Sequence, residues 1–551
     1  MKLDRLQELV TTTAITLSGI LVAVFLGQWA GRGDSRHITM ILGSLAYILI
    51  FFKMRQNIWL LIPMLMPLDG QLGFLPLPFS AKQVGIIIVA VSFMALIALK
   101  IVTTRPKYDL LDLTVLINLL YSATVYARNP IGTFATGSDL IGGRPYLDLL
   151  IGVMGYWTLC RVSASSEQLR KIPLFMFAST AVVTGLSIVS NVLPFTAPIM
   201  RKLYTGIDTQ AYSQSLAETG REDPNAGGEE AMVREQFFAP FAGSLTTILV
   251  SYYNPTTLLN PLYLLRFGSF MVCVGTMLIS GHRSGFSNMF LIFFLSCFLR
   301  EKFGGVFRML LLVAMFFTIL IMGHGTVYDL PLSVQRSLSF LPGKWDPHAK
   351  KDAEDSTEWR MVMWKKAMGS SALESTKYIK NKLFGDGPGF SKRDFASFDL
   401  DTGEGGNSAQ QENLMLAGGF HSGPVSTVRN VGFVGGILFY VLMIYTACRA
   451  YTLIVRSRGT PFFATALFIG MPMMLSPLGF SFIFGSFSTD FPNCIFTVGF
   501  LKMIDQSLTA SLVAAKSASP AVKAELRTAG SRPVPAFVGR PLGGGVQTSK
   551  I

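Results

Sequence analysis

The feature that most constrains this chain is a succession of apolar runs, each about as long as a bilayer is thick. A spanning helix needs about 20 apolar residues. Such runs recur at 11–30, 37–52, 57–68, 84–100, 110–126, 145–161, 172–193, 237–253, 262–280, 285–299, 308–323, 431–449, 460–478 and 481–502. The third is short and rich in proline, and the eighth contains Pro240, so either can be re-entrant or interfacial. The expected fold is therefore all-α: a polytopic membrane protein of about 12–14 transmembrane helices. Composition agrees. Half of the 551 residues are hydrophobic, 15% are charged and mean hydropathy is +0.46, whereas a soluble domain carries roughly 25% charged residues.

The formal charge of +14 would point to nucleic acid in a soluble protein. Here it lies in short loops flanking apolar runs, which is the positive-inside pattern, and it reads as topology with no nucleic-acid partner. With the N-terminus (Lys2, Arg5) inside, the inner loops collect Lys53 and Arg55, then Lys100, Arg105 and Lys107, then Arg161, Arg170 and Lys171. They also collect Arg300 and Lys302, then Arg449, Arg456 and Arg458, and the basic tail. Two long loops, 194–236 and 324–430, fall outside, with the turn SGHRSG (280–285). No cleavable signal is expected, because the first apolar run is long enough to stay in the bilayer. The five cysteines lie in or beside apolar runs and form no CxxC, which makes them small apolar residues. The chain divides into N-terminal helices (1–260), a second helical domain (261–505) containing the loop 324–430, and a basic tail (506–551) whose Ala, Ser, Pro and Gly content predicts disorder.

The loop 324–430 holds three of the six tryptophans, Trp345, Trp359 and Trp364. Loops this long are functional or disordered, and this one has apolar content enough to fold. Asp355-Ser356-Thr357-Glu358 supplies N-cap candidates for a helix through WRMVMWKKAM, with Arg360 and Trp364 on one face. GDGPGF (385–390) is a tight turn, and ENLMLAG (412–418) a short helix leading to His421.

Each polar residue singled out here has a plainer alternative. His421, followed by Ser422-Gly423-Pro424 and, further on, Arg429, is either a surface histidine or a base for a hydroxyl near the membrane plane. Arg283 lies outside, against the charge rule. It is either a snorkelling interface arginine or, framed by Gly281, Ser284 and Gly285, a bidentate phosphate ligand. Arg360 is either an exposed helical arginine or part of an element whose Trp359 and Trp364 lie in the headgroup zone. His282 and His324 are the other neutral-pH bases nearby, and Arg283 beside His282 makes it the weaker one. No metal-ligand spacing is present and no cofactor is expected. Two outer arginines and a histidine describe a site for a diphosphate and a hydroxyl.

Four segments in order, SGHRSGFSNMFLIFF, RSLSFLPGKWD with STEWRMVMWKKAM, LFGDGPGF and FHSGPVSTVRNVGFVGGILFY, resemble the O-antigen ligase/O-antigen polymerase superfamily of bacterial envelope glycosyltransferases. The resemblance covers roughly 265–450. Where that family often carries Asn after the loop histidine, this chain has Ser422. The resemblance implies a metal-independent GT-C-like transferase of the bacterial inner membrane with a periplasmic loop. Its donor would be a glycan on undecaprenyl pyrophosphate, and its acceptor a lipid or glycan hydroxyl. Arg283 and Arg360 would hold the pyrophosphate and His421 would act as base, with Arg429, His282, Ser284 and Trp364 as candidates for substrate contact. Two other classes compete. A transporter or flippase would carry ionisable groups at mid-span or duplicated halves; a glycan-binding sensor would tolerate loss of His421.

Overall fold

The computed structural model describes residues 49–73, 79–102, 106–132, 140–207, 235–369, 378–391, 415–416 and 418–517, together with positions 43, 45 and 47. The expected first span (11–30), most of the second, the end of loop 194–236, the stretch 394–409, the start of the 412–418 helix and the tail beyond Ser517 lie outside the described residues.

The described chain is helical. In order run α1 (Ala81–Ala98), α2 (Leu110–Arg128), α3 (Arg144–Leu159), α4 (Ser166–Val192), α5 (Phe238–Tyr252) and α6 (Leu264–Ile279). There follow α7 (Arg283–Gly323), α8 (Leu332–Leu338), α9 (Pro347–Met368), α10 (Gly423–Ser457), α11 (Phe463–Leu478) and α12 (Phe487–Ser517). One antiparallel pair of two-residue strands joins β1 (Leu140–Ile141) to β2 (Phe390–Ser391). Six helical segments are long and apolar enough to cross a membrane: α1, α2, α4, α7, α10, and α11 with its continuation to Ile483. Their outer faces carry large apolar side chains such as Phe303, Met322, Ile437 and Phe482, all mostly exposed. Contiguous apolar surface on this scale requires a non-aqueous neighbour, and the described helices are those of a multi-pass membrane protein.

Local sequence sets where helices begin. Ser80 with Gln83, Asp109 with Asp112, and Ser165 with Gln168 form reciprocal capping boxes at the starts of α1, α2 and α4. Each satisfies two backbone donors that a helix start otherwise leaves unpaired. Two long helices are interrupted. α7 has 41 residues, about 60 Å at 1.5 Å per residue, twice the hydrocarbon thickness. Lys302, with φ 59°, breaks it between the two apolar runs. α10 breaks at Gly432 (φ 70°), where a Cβ would collide with the carbonyl of Leu383. Only glycine fits there. α10 packs on α11 and α2, and α12 packs on α3. Buried Phe439 meets Phe480, Phe487 and Phe491 edge-on at 5.3, 5.3 and 5.4 Å, a favoured aromatic geometry.

Two boundaries differ from expectation. α9 begins at Pro347, capped by Asp346, which accepts from the His348 amide at 2.8 Å. Asp before Pro at the first helical position is a stronger start than Asp355, because the intervening residues are good helix formers. α12 continues to Ser517, eleven residues past the expected start of the tail, because Leu508, Leu512 and Val513 keep it apolar at helical spacing.

Candidate functional site

The site is built where the 280–285 turn, α8, α9 and the start of α10 meet. Gly281, at φ 65°, turns the chain after α6. His282 then caps α7, its Nδ1 accepting from the Gly285 amide at 3.1 Å and lying 3.2 Å from the Ser284 hydroxyl. Arg283, the first residue of α7, donates from Nη2 to the Ala353 carbonyl of α9 at 2.8 Å and reaches Thr357 Oγ1 at 3.5 Å. It braces two elements as well as offering charge.

α8 carries an arginine that sequence reasoning left without a role. Arg336 is buried; its Nη1 donates to the Gly281 carbonyl at 2.6 Å and its Nε pairs with Asp352 of α9. It lies in RSLSFLPGKWD, and its partners Gly281 and Asp352 stand 55 and 16 residues away along the chain, which no local pattern signals. Gln335 Oε1 accepts from the Asp346 amide at 2.8 Å and so ties the cap of α9 to α8.

On α9, Arg360 lies one turn beyond Thr357. It is half-buried, its Nε makes no hydrogen bond, and no carboxylate pairs with it among the described residues. Burial, and then the nearby charge of Arg336, lower its pKa from the ordinary arginine value. A desolvated guanidinium beside a second one is poised to gain from an arriving anion.

His421 closes the site. Its backbone is left-handed at φ 48°, a conformation rare for a residue with a Cβ. Its ring sits between Trp359 at 5.3 Å and Phe484 at 5.1 Å. Burial first, and the Arg360 charge second, push its pKa below the usual imidazole value, so it is neutral at pH 7 and able to accept a proton. The Trp364 indole donates to the Phe420 carbonyl at 2.9 Å, which fixes the residue before His421. Trp359 and Trp364, both partly buried, thus pack on this segment's own small core, formed by Met363, Ile379, Met415, Phe420 and their neighbours. That contact gives them a positioning role.

Arg429 is separate from this cluster. Its Nη1 and Nη2 donate to the carbonyls of Gly387 and Gly389 at 2.9 and 2.7 Å, and it pairs with Asp386 at 3.4 Å. Asp386 and Gly387 in turn donate backbone amides to the carbonyls of Arg429 and Asn430. GDGPGF is therefore a turn clamped onto the start of α10. His324 also lies apart, stacked on Trp345 at 5.5 Å with its Nδ1 accepting from the Leu330 amide.

Below the cluster is a cavity of about 430 Å³. His282, Ser284, Asn288, Phe480, Phe484 and Asp490 are among the residues that line it. Phe484 belongs to both the cavity and the histidine's ring stack, so the two spaces adjoin. Among the described residues, no group of three or more His, Cys, Asp or Glu is placed to hold a metal ion.

The fold and site together define a class: a multi-pass helical membrane protein with a cationic, histidine-bearing site on the segment between α7 and α10. The chain matches no protein-family model, and no curated protein matches it significantly.

Proposed function

We propose that this protein is a glycosyltransferase of the bacterial inner membrane, related to the O-antigen ligase/polymerase superfamily. In this reading it has 12–14 spans and a GT-C-like arrangement, with the outer segment in the periplasm. It moves a glycan from undecaprenyl pyrophosphate to the hydroxyl of a lipid or glycan acceptor. The observation that carries the reading is the grouping of Arg283 and Arg336 against α9 beside Arg360, which in turn lies next to neutral His421. Such a set suits a reaction with an anionic leaving group and a hydroxyl nucleophile.

The step balances without a further reactant. His421 takes the proton of the acceptor hydroxyl as its oxygen attacks the anomeric carbon. The bond from that carbon to the pyrophosphate oxygen breaks, and its electron pair leaves with the carrier pyrophosphate. Arg360 and Arg283 neutralise the charge that grows there. Arg336, bonded to Asp352 and the Gly281 carbonyl, holds α8 and α9 on the 280–285 turn.

The test is deletion of the protein followed by analysis of surface polysaccharide. Loss of all long chains from the lipid anchor identifies a ligase; single-repeat products identify a polymerase. Lipid-linked glycan trapped on the inner leaflet would instead identify a flippase and overturn the proposal.

A further inference from the structure

A second cavity lies at the opposite end of the helices. Arg449 stands 17 residues beyond Gly432 on α10, about 25 Å along a helix, so this space is separate from the site around His421. It has a volume of about 920 Å³ and is bounded by the start of α2, the turn after α3 and the ends of α10 and α12.

Its walls carry five cations: Lys107, Arg161, Arg449, Arg456 and Lys502. Three carboxylates oppose them. Lys502 pairs with Asp112 and, at 3.5 Å, with Asp109. Arg449 is shared between Asp109 at 3.3 Å and Asp505 at 3.4 Å, and Arg456 pairs with Asp505 at 2.6 Å. Lys107 and Arg161 have no carboxylate partner among the described residues. Arg161 donates only to the Trp157 carbonyl, with its guanidinium over the Trp157 ring at 4.2 Å. Two positive charges are therefore left over inside one concave space. The Thr509 hydroxyl accepts from Arg456 at 3.1 Å and keeps its own proton to donate, whereas Thr452 donates to the Cys448 carbonyl; Leu453 and Val513 form an apolar wall.

An excess of two positive charges in a concave space beside a hydroxyl donor matches a phosphate group. The chain's own remainder is a poor occupant, because the residues after Ser517 carry five cations and one carboxylate. We propose that this cavity is a binding site for a phosphate-bearing anion, distinct from the candidate catalytic site and independent of the transferase reading. The apolar wall accommodates a lipid tail if the phosphate is a headgroup; a soluble phosphate needs only the polar half.

The experiment uses the full-length protein in nanodiscs of phosphatidylcholine with a minor fraction of phosphatidic acid, and in a second arm phosphatidylcholine alone with inorganic pyrophosphate. Native mass spectrometry counts retained phosphatidic acid, and calorimetry reads pyrophosphate. The test variant is Arg161→Gln with Lys107→Gln; neither side chain holds a carboxylate, so folding is spared. Arg161→Lys serves as the rescue. Binding in either arm, weakened about tenfold or more in the double variant and partly restored by Arg161→Lys, supports the proposal. Phosphatidic acid alone identifies a headgroup site, and pyrophosphate alone a soluble anion. Binding in neither arm, or equal binding by the double variant, overturns it and leaves the cavity a space between internally paired helix ends.

Discussion

Arg360 on α9 and Arg429 at the start of α10 are both buried at least in part, and the fold treats them differently. Arg429 is buried, its two terminal nitrogens on carbonyls and its charge on Asp386, while its Nε makes no hydrogen bond. Arg360 is half-buried beside another arginine, and among the described residues no carboxylate pairs with it. Burying a cation is costly unless it is paired. Where the chain supplies the partners, the arginine builds structure; where it withholds them, the arginine awaits an anion.

The sharpest way to break this comparison is to remove each side chain. Arg360→Ala should lower transfer by about 10²–10³-fold, the scale for one donor to a developing anion, with yield and thermal stability unchanged. Arg429→Ala should instead lose folded protein, because two carbonyls lose their donors and Asp386 keeps only the Lys380 and Asn381 amides without a counter-charge, at a cost of about 3–5 kcal/mol. Yield after detergent extraction and a thermal melt separate the two. If Arg360→Ala also collapses the fold, the contrast is gone.

A smaller effect is expected at Arg283, which both braces α9 and faces the site. Arg283→Lys should cost about tenfold in transfer, since a point charge does not reproduce a planar fork, with protein level unchanged. Equal activity would reduce Arg283 to a brace between helices.

The pH profile sharpens the pairing of Arg360 with His421. The base works when neutral, and its pKa lies below the ordinary 6.5. Transfer should therefore rise with pH through a midpoint below that value and be level near pH 7. In Arg360→Gln, one of the two depressing causes is gone and the midpoint should move up. A rate that falls as pH climbs from 5 to 7 would mean that the protonated histidine is the working form.

The smallest effect belongs to Trp364→Phe, which loses one hydrogen bond to the Phe420 carbonyl. A cost of about 1 kcal/mol in positioning, or several-fold in transfer, is expected. Turnover should change while donor affinity does not.

Much of this was legible in the sequence, because bilayer physics acts on long windows. The apolar runs on either side of Lys302 and the run opening at Val431 correspond to helices broken at Lys302 and Gly432. Local signals beat composition in two places. Asp346-Pro347 starts α9 ahead of the Asp355 cluster, and apolar spacing carries α12 into what composition marked as tail. Arg336 and Arg429 could not be sorted from Arg360 in advance. Their partners are Gly281 and Asp352 in one case, and the 386–389 turn in the other. No spacing along the chain announces those contacts.

The most direct test of the central claim is transfer by His421→Ala with purified protein, lipid-linked glycan and acceptor, measured beside donor binding. Loss of the base should reduce turnover by about 10²–10⁴-fold while donor affinity stays at the wild-type level, because all three arginines remain. Wild-type turnover would place the base elsewhere and contradict the account, and loss of donor binding would make His421 a ligand of the leaving group.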